Sequence, residues 1–346
     1  MSIDPGETGK TGVVSSESED GHVQRHAATG PYRRALRRLG RNPIALMFGG
    51  LFLVVVVACL LAPIYSHDVA HIGPNTENIT GTVRVGNKNV DVVSLVGIPI
   101  GPTWGRHYFL GADPSGRDVA VRLLYGGRNS LEIGAEATLI TILCATILGI
   151  VAGYFRGPLD GLISRAFELI WAYPVYLLGI ALGATLATGG LNLGIIQIKG
   201  GSLFLTSLII GFIGIPYVGK PIRGQVLSLR EREFVDAARQ QGLSSARIMF
   251  SEILPNVAST IIVFVPLTMA GAILAEAGLS FLGAGVQDPN PSWGTMIGDG
   301  IRLIPAGIHL VLVPGIMLVL AVIGINIFGD GVRDAFDPRA KPVIHR

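Results

Sequence analysis

The chain has 346 residues, of which 49% are apolar and only 15% charged, with 47 glycines. Soluble domains carry charge on about a quarter of their residues, so this composition excludes an ordinary soluble fold and points to a membrane protein. The apolar content excludes disorder over most of the chain, two cysteines exclude a disulfide scaffold, and a net charge of +3 is too small to suggest nucleic acid.

Residues 1–42 are polar, rich in Ser, Gly and Glu, and lack an apolar signal-peptide core, so a disordered cytoplasmic tail is expected there. Within it, Gly6-Glu7-Thr8-Gly9-Lys10-Thr11 imitates the end of a phosphate-binding loop, but Asp4 stands where a glycine is needed, and neither a strand nor a helix flanks it. No nucleotide site is expected.

Crossing a hydrocarbon core of about 30 Å takes roughly 20 apolar residues. Six stretches qualify, near 44–65, 132–155, 161–188, 203–222, 256–282 and 306–328, with Cys59 and Cys144 reading as small buried hydrophobes inside them. The expected organisation is a first transmembrane helix over 43–65, an extracytoplasmic segment over 66–131, a five-helix core over 132–329 and a cytoplasmic tail over 330–346. The fold class is therefore all-α and polytopic, with six transmembrane helices.

Basic residues set the orientation. Arg33, Arg34, Arg37, Arg38 and Arg41 precede the first span, Arg156 and Arg165 flank the second connection, and Lys220, Arg223, Arg230, Arg232, Arg239 and Arg247 cluster before the fifth span. Arg333, Arg339, Lys341 and Arg346 follow the sixth, whereas the short opposite loops hold only Lys199 and Arg302. Both termini are expected to be cytoplasmic, in a cell membrane. In the extracytoplasmic segment, Thr82–Val85 and Val90–Val93 alternate on either side of a Gly/Asn turn, which suggests a β-hairpin, either as a cap or as an ordered loop. Gly149, Gly153 and Gly157, and Gly179 with Gly183, repeat at four-residue spacing and suit close helix packing within one bundle.

The cytoplasmic segment 228–255 is the most informative. Ser228 and Glu231 fit a capping box, and Phe234, Ala237, Ala238 and Gln241 follow at helical spacing with small residues in the middle of the face. Gly242 suits a left-handed helix end, Ser244 or Ser245 can cap a short second helix through Phe250, and Pro255 marks the return to the membrane. Such a pattern fits either a hairpin on the lipid surface or a docking site for a soluble partner; the alanines favour docking, because surface-binding helices carry bulky residues there.

Asp236-Ala237-Ala238, Gly242 and Glu252-Ile253-Leu254-Pro255 resemble the EAA signature of permease subunits of bacterial ABC importers, with Asp236 in place of the usual Glu and Glu252 at a commonly aliphatic position. The chain is further similar to the C-type permeases of dipeptide, oligopeptide and nickel importers. The resemblance is carried by Phe109–Asp113 with Gly116-Arg117-Asp118, Arg122–Gly126, Arg223–Leu229, Ile273–Ala277, Leu279–Gly283, Pro291–Gly294, Gly329–Asp334 and Asp337-Pro338-Arg339. It covers roughly residues 107–339, in order.

The resemblance implies a permease subunit of an ATP-driven importer of peptides, forming half of a pathway that works by alternating access. It implies a second, B-type permease, two ATP-binding subunits, an extracytoplasmic substrate-binding protein and the lipid bilayer as partners. It also implies no cofactor on this chain, ATP and Mg²⁺ being held by the partner ATPases, and no enzyme activity of its own. Docking on the ATPases is assigned by that resemblance to Phe234, Asp236, Ala237, Ala238, Gly242 and Leu243, with Arg239 or Arg247 adding charge pairing.

Among residues within the spans, Glu168 lies one helical turn after Arg165 and fits a structural pair, Glu276 fits either a packing hydrogen bond or a pathway role, and Tyr173-Pro174 should kink the third span. His67 with His71 is the one ligand-like histidine pair, without a full metal set. The rival readings are the same permease type importing another small solute, such as a nickel chelate or heme, a secondary transporter, and a membrane-embedded enzyme. A secondary transporter needs internal repeats and midplane coupling groups, and an enzyme needs clustered His, Asp or Glu; the sequence offers neither.

Overall fold

Asn42 starts the first crossing: its side chain accepts from the Ala45 N–H, and Pro43 supplies a pre-formed first turn to α2 (Pro43–Leu60). A computed structural model describes residues 31–192, 194 and 197–336. The Gly6–Thr11 run and the Asp337-Pro338-Arg339 motif lie outside the described residues. The expected disorder up to residue 42 needs correction, because Pro31–Leu39 form a helix, α1, whose Ala35 is buried while its arginines stay outside. A polar composition concealed this amphipathic helix of about two and a half turns from a window reading.

After α2 come a single turn, α3 (Ala62–Ile64), and a π-helical turn over Tyr65–Ala70 that ends at His71 in the left-handed region. The hairpin is present: β1 (Thr82–Val85) pairs antiparallel with β2 (Lys88–Asp91), Thr82 opposite Asp91, around a two-residue turn opened by Gly86 at φ +61°. Beneath it Val92, Val93, Tyr108 and Ala112 form a small apolar cluster.

The second span begins well before residue 132. α4 (Val119–Phe155) starts at Asp118, whose carboxylate accepts from the N–H groups of Ala120 and Val121 at 2.9 and 3.1 Å and from that of Tyr108 at 2.8 Å. Burial lifts this carboxyl above the ordinary range, and the three N–H donors oppose the lift. The first turns of α4 stand in protein rather than lipid, so Arg122 is tolerated at 1% exposure, beside Asp113 at 3.4 Å and donating to the Pro74 carbonyl at 3.2 Å. A hydropathy window cannot see a helix that opens with buried polar residues.

α4 packs along α7 (Leu203–Leu229), which is capped by Ser202 and continues beyond residue 222 despite Pro216 and Pro221. The close approach depends on Gly149 and Gly153: a Cβ at Gly153 would lie 2.7 Å from that of Val226. Gly157, by contrast, adopts φ +66° in open space and opens the next helix instead of packing. The third span is broken at Tyr173-Pro174 into α5 (Gly157–Ala172) and α6 (Val175–Gly189), which meet at 92°. Gly179 and Gly183 seat α6 on Leu279 and Ala284. A two-residue ladder, β3 (Leu191–Asn192) with β4 (Gln197–Ile198), then leads to α7.

α8 (Glu233–Gln240), α9 (Ser245–Arg247) and α10 (Leu254–Phe281) form the following segment and the fifth span. α11 (Trp293–Ile301) carries a capping box between Ser292 and Thr295, and its buried Trp293 donates from Nε1 to the Leu123 carbonyl of α4 at 3.2 Å. The single turn α12 (Ile304–Gly307) precedes α13 (His309–Phe336), which contains Pro314 without breaking there. α13 remains helical through Phe336, so residues 330–336 extend the last helix instead of starting a tail. Among the described residues, five helices are long and apolar enough to cross a membrane, and the bent pair α5–α6 passes the same test together, which makes six where that pair counts as one span.

Candidate coupling surface

The segment between α7 and α10 is positioned by its own backbone chemistry. The expected capping box at Ser228 does not form: Ser228 stays within α7, Arg230 continues the helix by donating to the Val226 carbonyl, and Glu231 instead pairs with Arg156 at the end of α4. Arg232 takes the N-cap place of α8 without a side-chain bond, and Glu233 and Asp236 in the first turn complement the helix dipole. Near the same end, the guanidinium of Arg223 on α7 grips Asp160 of α5, at 2.8 Å through Nη2, and holds the carboxylate among fixed charges.

One side of α8 is anchored. Val235 and Ala238 are buried with Ile222 and Val226 of α7 and with Ile248, Ile253 and Val257 of the following helix. At its end Gly242, at φ +77°, donates to the Arg239 carbonyl at 2.9 Å, while the Leu243 N–H reaches the Ala238 carbonyl at 3.1 Å. These two bonds make a Schellman close, with Leu243 packed on the same cluster. Ser244 then caps α9, and the chain runs without a break from Ser245 to Phe281. The expected separate short helix ending at Phe250 is therefore the beginning of the helix that forms the fifth span. The wide π turn over Ile248–Ile253 lies where the Pro255 ring would otherwise crowd the preceding turn.

The opposite side of α8 is open. Phe234, Asp236 and Ala237 are exposed, Arg239 bonds Asp236 at 2.9 Å with its guanidinium 5.7 Å from the Tyr154 ring, and Arg247 is exposed on α9. Of the eight residues singled out from sequence, Ala238 and Leu243 face inward and hold the helix, whereas the others lie at the surface. Phe250, 68% exposed, adds a bare aromatic side chain that the sequence reading missed. Its exposure follows from the register of the Ser245–Phe281 helix, set by distant Ile248 and Ile253 contacts, which local spacing does not reveal.

The remaining candidates separate. Glu276 is fully buried; one of its oxygens accepts from Ser280 Oγ at 2.6 Å one turn along α10, and its Oε2 has no hydrogen-bond partner among the described residues. Glu168 is exposed and lies 4.0 Å from Arg165. Pro174 makes the α5–α6 bend, beside a cavity of about 300 Å³ lined by Trp171, Tyr176, Tyr217, Leu267 and Thr268. His67 bonds Asp68 at the outer face.

Residues 145–342 match the model of the family described as binding-protein-dependent transport system inner membrane component, and residues 30–79 match the N-terminal transmembrane domain of oligopeptide transport permease C. A dipeptide transport system permease protein of Alkalihalophilus pseudofirmus is 35% identical over 91% of this chain and 92% of its own length. An oligopeptide transport system permease protein of Mycobacterium tuberculosis is 35% identical over 89% of this chain and 96% of its own. A solved methionine ABC transporter in an inward-facing conformation shares the fold at a TM-score of 0.50 and 16% identity, covering 62% of this chain and 96% of that one. With its apolar spans and these relatives, the chain belongs to the binding-protein-dependent transport system inner-membrane component family and is a multi-pass permease subunit of an ABC importer.

Proposed function

We propose that this permease carries peptides of the dipeptide or oligopeptide type, and that the exposed side of α8 couples it to ATP hydrolysis. Support for the substrate class comes from the relatives, which are dipeptide, oligopeptide and di/tripeptide permeases at similar identity. The coupling assignment is carried by one observation: α8 is clamped on one side by Val235 and Ala238 and presents Phe234, Asp236 and Ala237 on the other.

A helix so anchored transmits force. Closure of two ATP-binding subunits, which hold ATP and Mg²⁺, would displace α8, and its buried side chains would pass that displacement to α7 and α10. The pathway would then alternate between inward- and outward-facing states, provided the nucleotide states interact differently with the two conformations. The rest of the assembly is a second, B-type permease forming the other half of the pathway and an extracytoplasmic binding protein delivering the peptide. Both termini lie in the cytoplasm, in keeping with α1 and the end of α13 packing side by side. The chain itself binds no cofactor and catalyses no reaction.

The test is peptide uptake by the reconstituted complex carrying Gly242→Trp. At φ +77° any side chain strains the helix close, while the space around it is open, so the change acts on the docking surface and leaves the core packed. Uptake should fall at least tenfold with insertion unchanged; uptake at full rate with the ATP-binding subunits still co-purifying would overturn the assignment.

A further inference from the structure

Helix α1 and the turn after it place Arg33, Arg34, Arg37, Arg38 and Arg41 just before the first span. At 100° per residue the four helical arginines cover an arc of about 140°. Ala35, Leu36 and Leu39 fall on the other side, where Ala35 is buried and α1 runs along α13. Contact is close there: a Cβ at Gly331 would meet Ala45 and approach Asn42 and Leu39, so the α1–α2 elbow is seated on the last helix. Leu36 remains 67% exposed, next to the equally bare Ile44 and Met47 of α2.

That combination has a physical consequence. The uncharged α2 is an apolar span, so its first turn belongs at the edge of the hydrocarbon, and α1, joined to it by only Gly40, Arg41 and Asn42, would then lie near the headgroups. The guanidinium groups and Leu36 line one cleft of about 790 Å³, which offers a phosphate cations beside an apolar side chain. We propose that α1 is an interfacial helix that binds anionic phospholipid, with the headgroup phosphate held by Arg33, Arg37 and Arg41. Guanidinium matches phosphate in a bidentate manner, and each basic group near an anionic surface adds to the attraction. The proposal needs only that α2 spans the bilayer; it is independent of the peptide substrate and of the coupling role of α8.

The test is native mass spectrometry of the assembled complex with its ATP-binding subunits in detergent, titrated with phosphatidylglycerol or phosphatidylcholine. The wild type should retain phosphatidylglycerol at least about tenfold more strongly, and the preference should shrink at high salt. Arg33→Gln/Arg37→Gln/Arg41→Gln should abolish it, and Arg33→Lys/Arg37→Lys/Arg41→Lys should keep most of it at an unchanged elution volume, which separates lost lipid binding from misfolding. Equal retention of both lipids by the wild type would overturn the proposal, as would an undiminished preference in the Gln variant. Complete displacement of the lipid by millimolar inorganic phosphate would also overturn it, as the mark of a free-anion site. So would loss of the ATP-binding subunits from the Gln variant with its lipid preference intact, because the arginines would then serve a protein contact.

Discussion

The two ends of the bundle are held together by different chemistry. At the outer end, Asp118 accepts three backbone N–H groups, and Arg122 is buried beside Asp113, so the beginning of α4 is fixed by polar groups that have no access to water. At the inner end, α8 is fixed by aliphatic and small side chains, Val235, Ala238 and Leu243, while its ion pairs, Arg239 with Asp236 and Arg156 with Glu231, are half-exposed and contribute little. The outer end is therefore intolerant of polar loss. α8 itself is intolerant of apolar loss and tolerant of losing its own exposed charges, as suits a surface that a partner must cover.

The largest effect should come from Val235→Asp, which places an unpaired charge in the cluster under α8. It should cost about 3 kcal/mol or more, release α8 and abolish uptake, with limited proteolysis cutting first near α8. Asp118→Ala should follow, at about 2–3 kcal/mol, read as a lower melting temperature in detergent; Asp118→Asn keeps one acceptor oxygen and should lose less. If the Ala variant melted like the wild type, the polar fixation of the outer end would be wrong. Gly153→Val should cost about 1–3 kcal/mol by forcing α4 away from Val226. Glu231→Gln is expected to change stability by no more than about 0.5 kcal/mol, and a larger loss would show that the inner ion pairs matter more than their exposure indicates.

How much of this was legible in the sequence follows the same division. The spans, the hairpin and the Gly242 close could be read because each depends on neighbours in the chain: an apolar run, alternation around a Gly/Asn turn, a glycine after a helix. What could not be read depends on distant partners. α4 begins at Asp118 because Tyr108 and Pro74 return to it, and the Ser228–Glu231 pair fails as a cap because Glu231 finds Arg156 instead. Ala237 and Ala238 look alike in the motif, yet only packing against Ile222 and Val226 decides that the second is buried. α1 was missed because its apolar side, Ala35, Leu36 and Leu39, is too narrow to register among arginines.

Cross-linking tests the central claim most directly. In the assembled complex, with Cys59 and Cys144 replaced, a cysteine introduced by Ala237→Cys should cross-link to an ATP-binding subunit through a short bifunctional reagent. A cysteine from Leu162→Cys, also exposed but on α5, serves as the control and should not. Cross-linking from Ala237→Cys at several times the control level is the expected result; yields no higher than those of the control, in a complex that still transports, would contradict docking through α8.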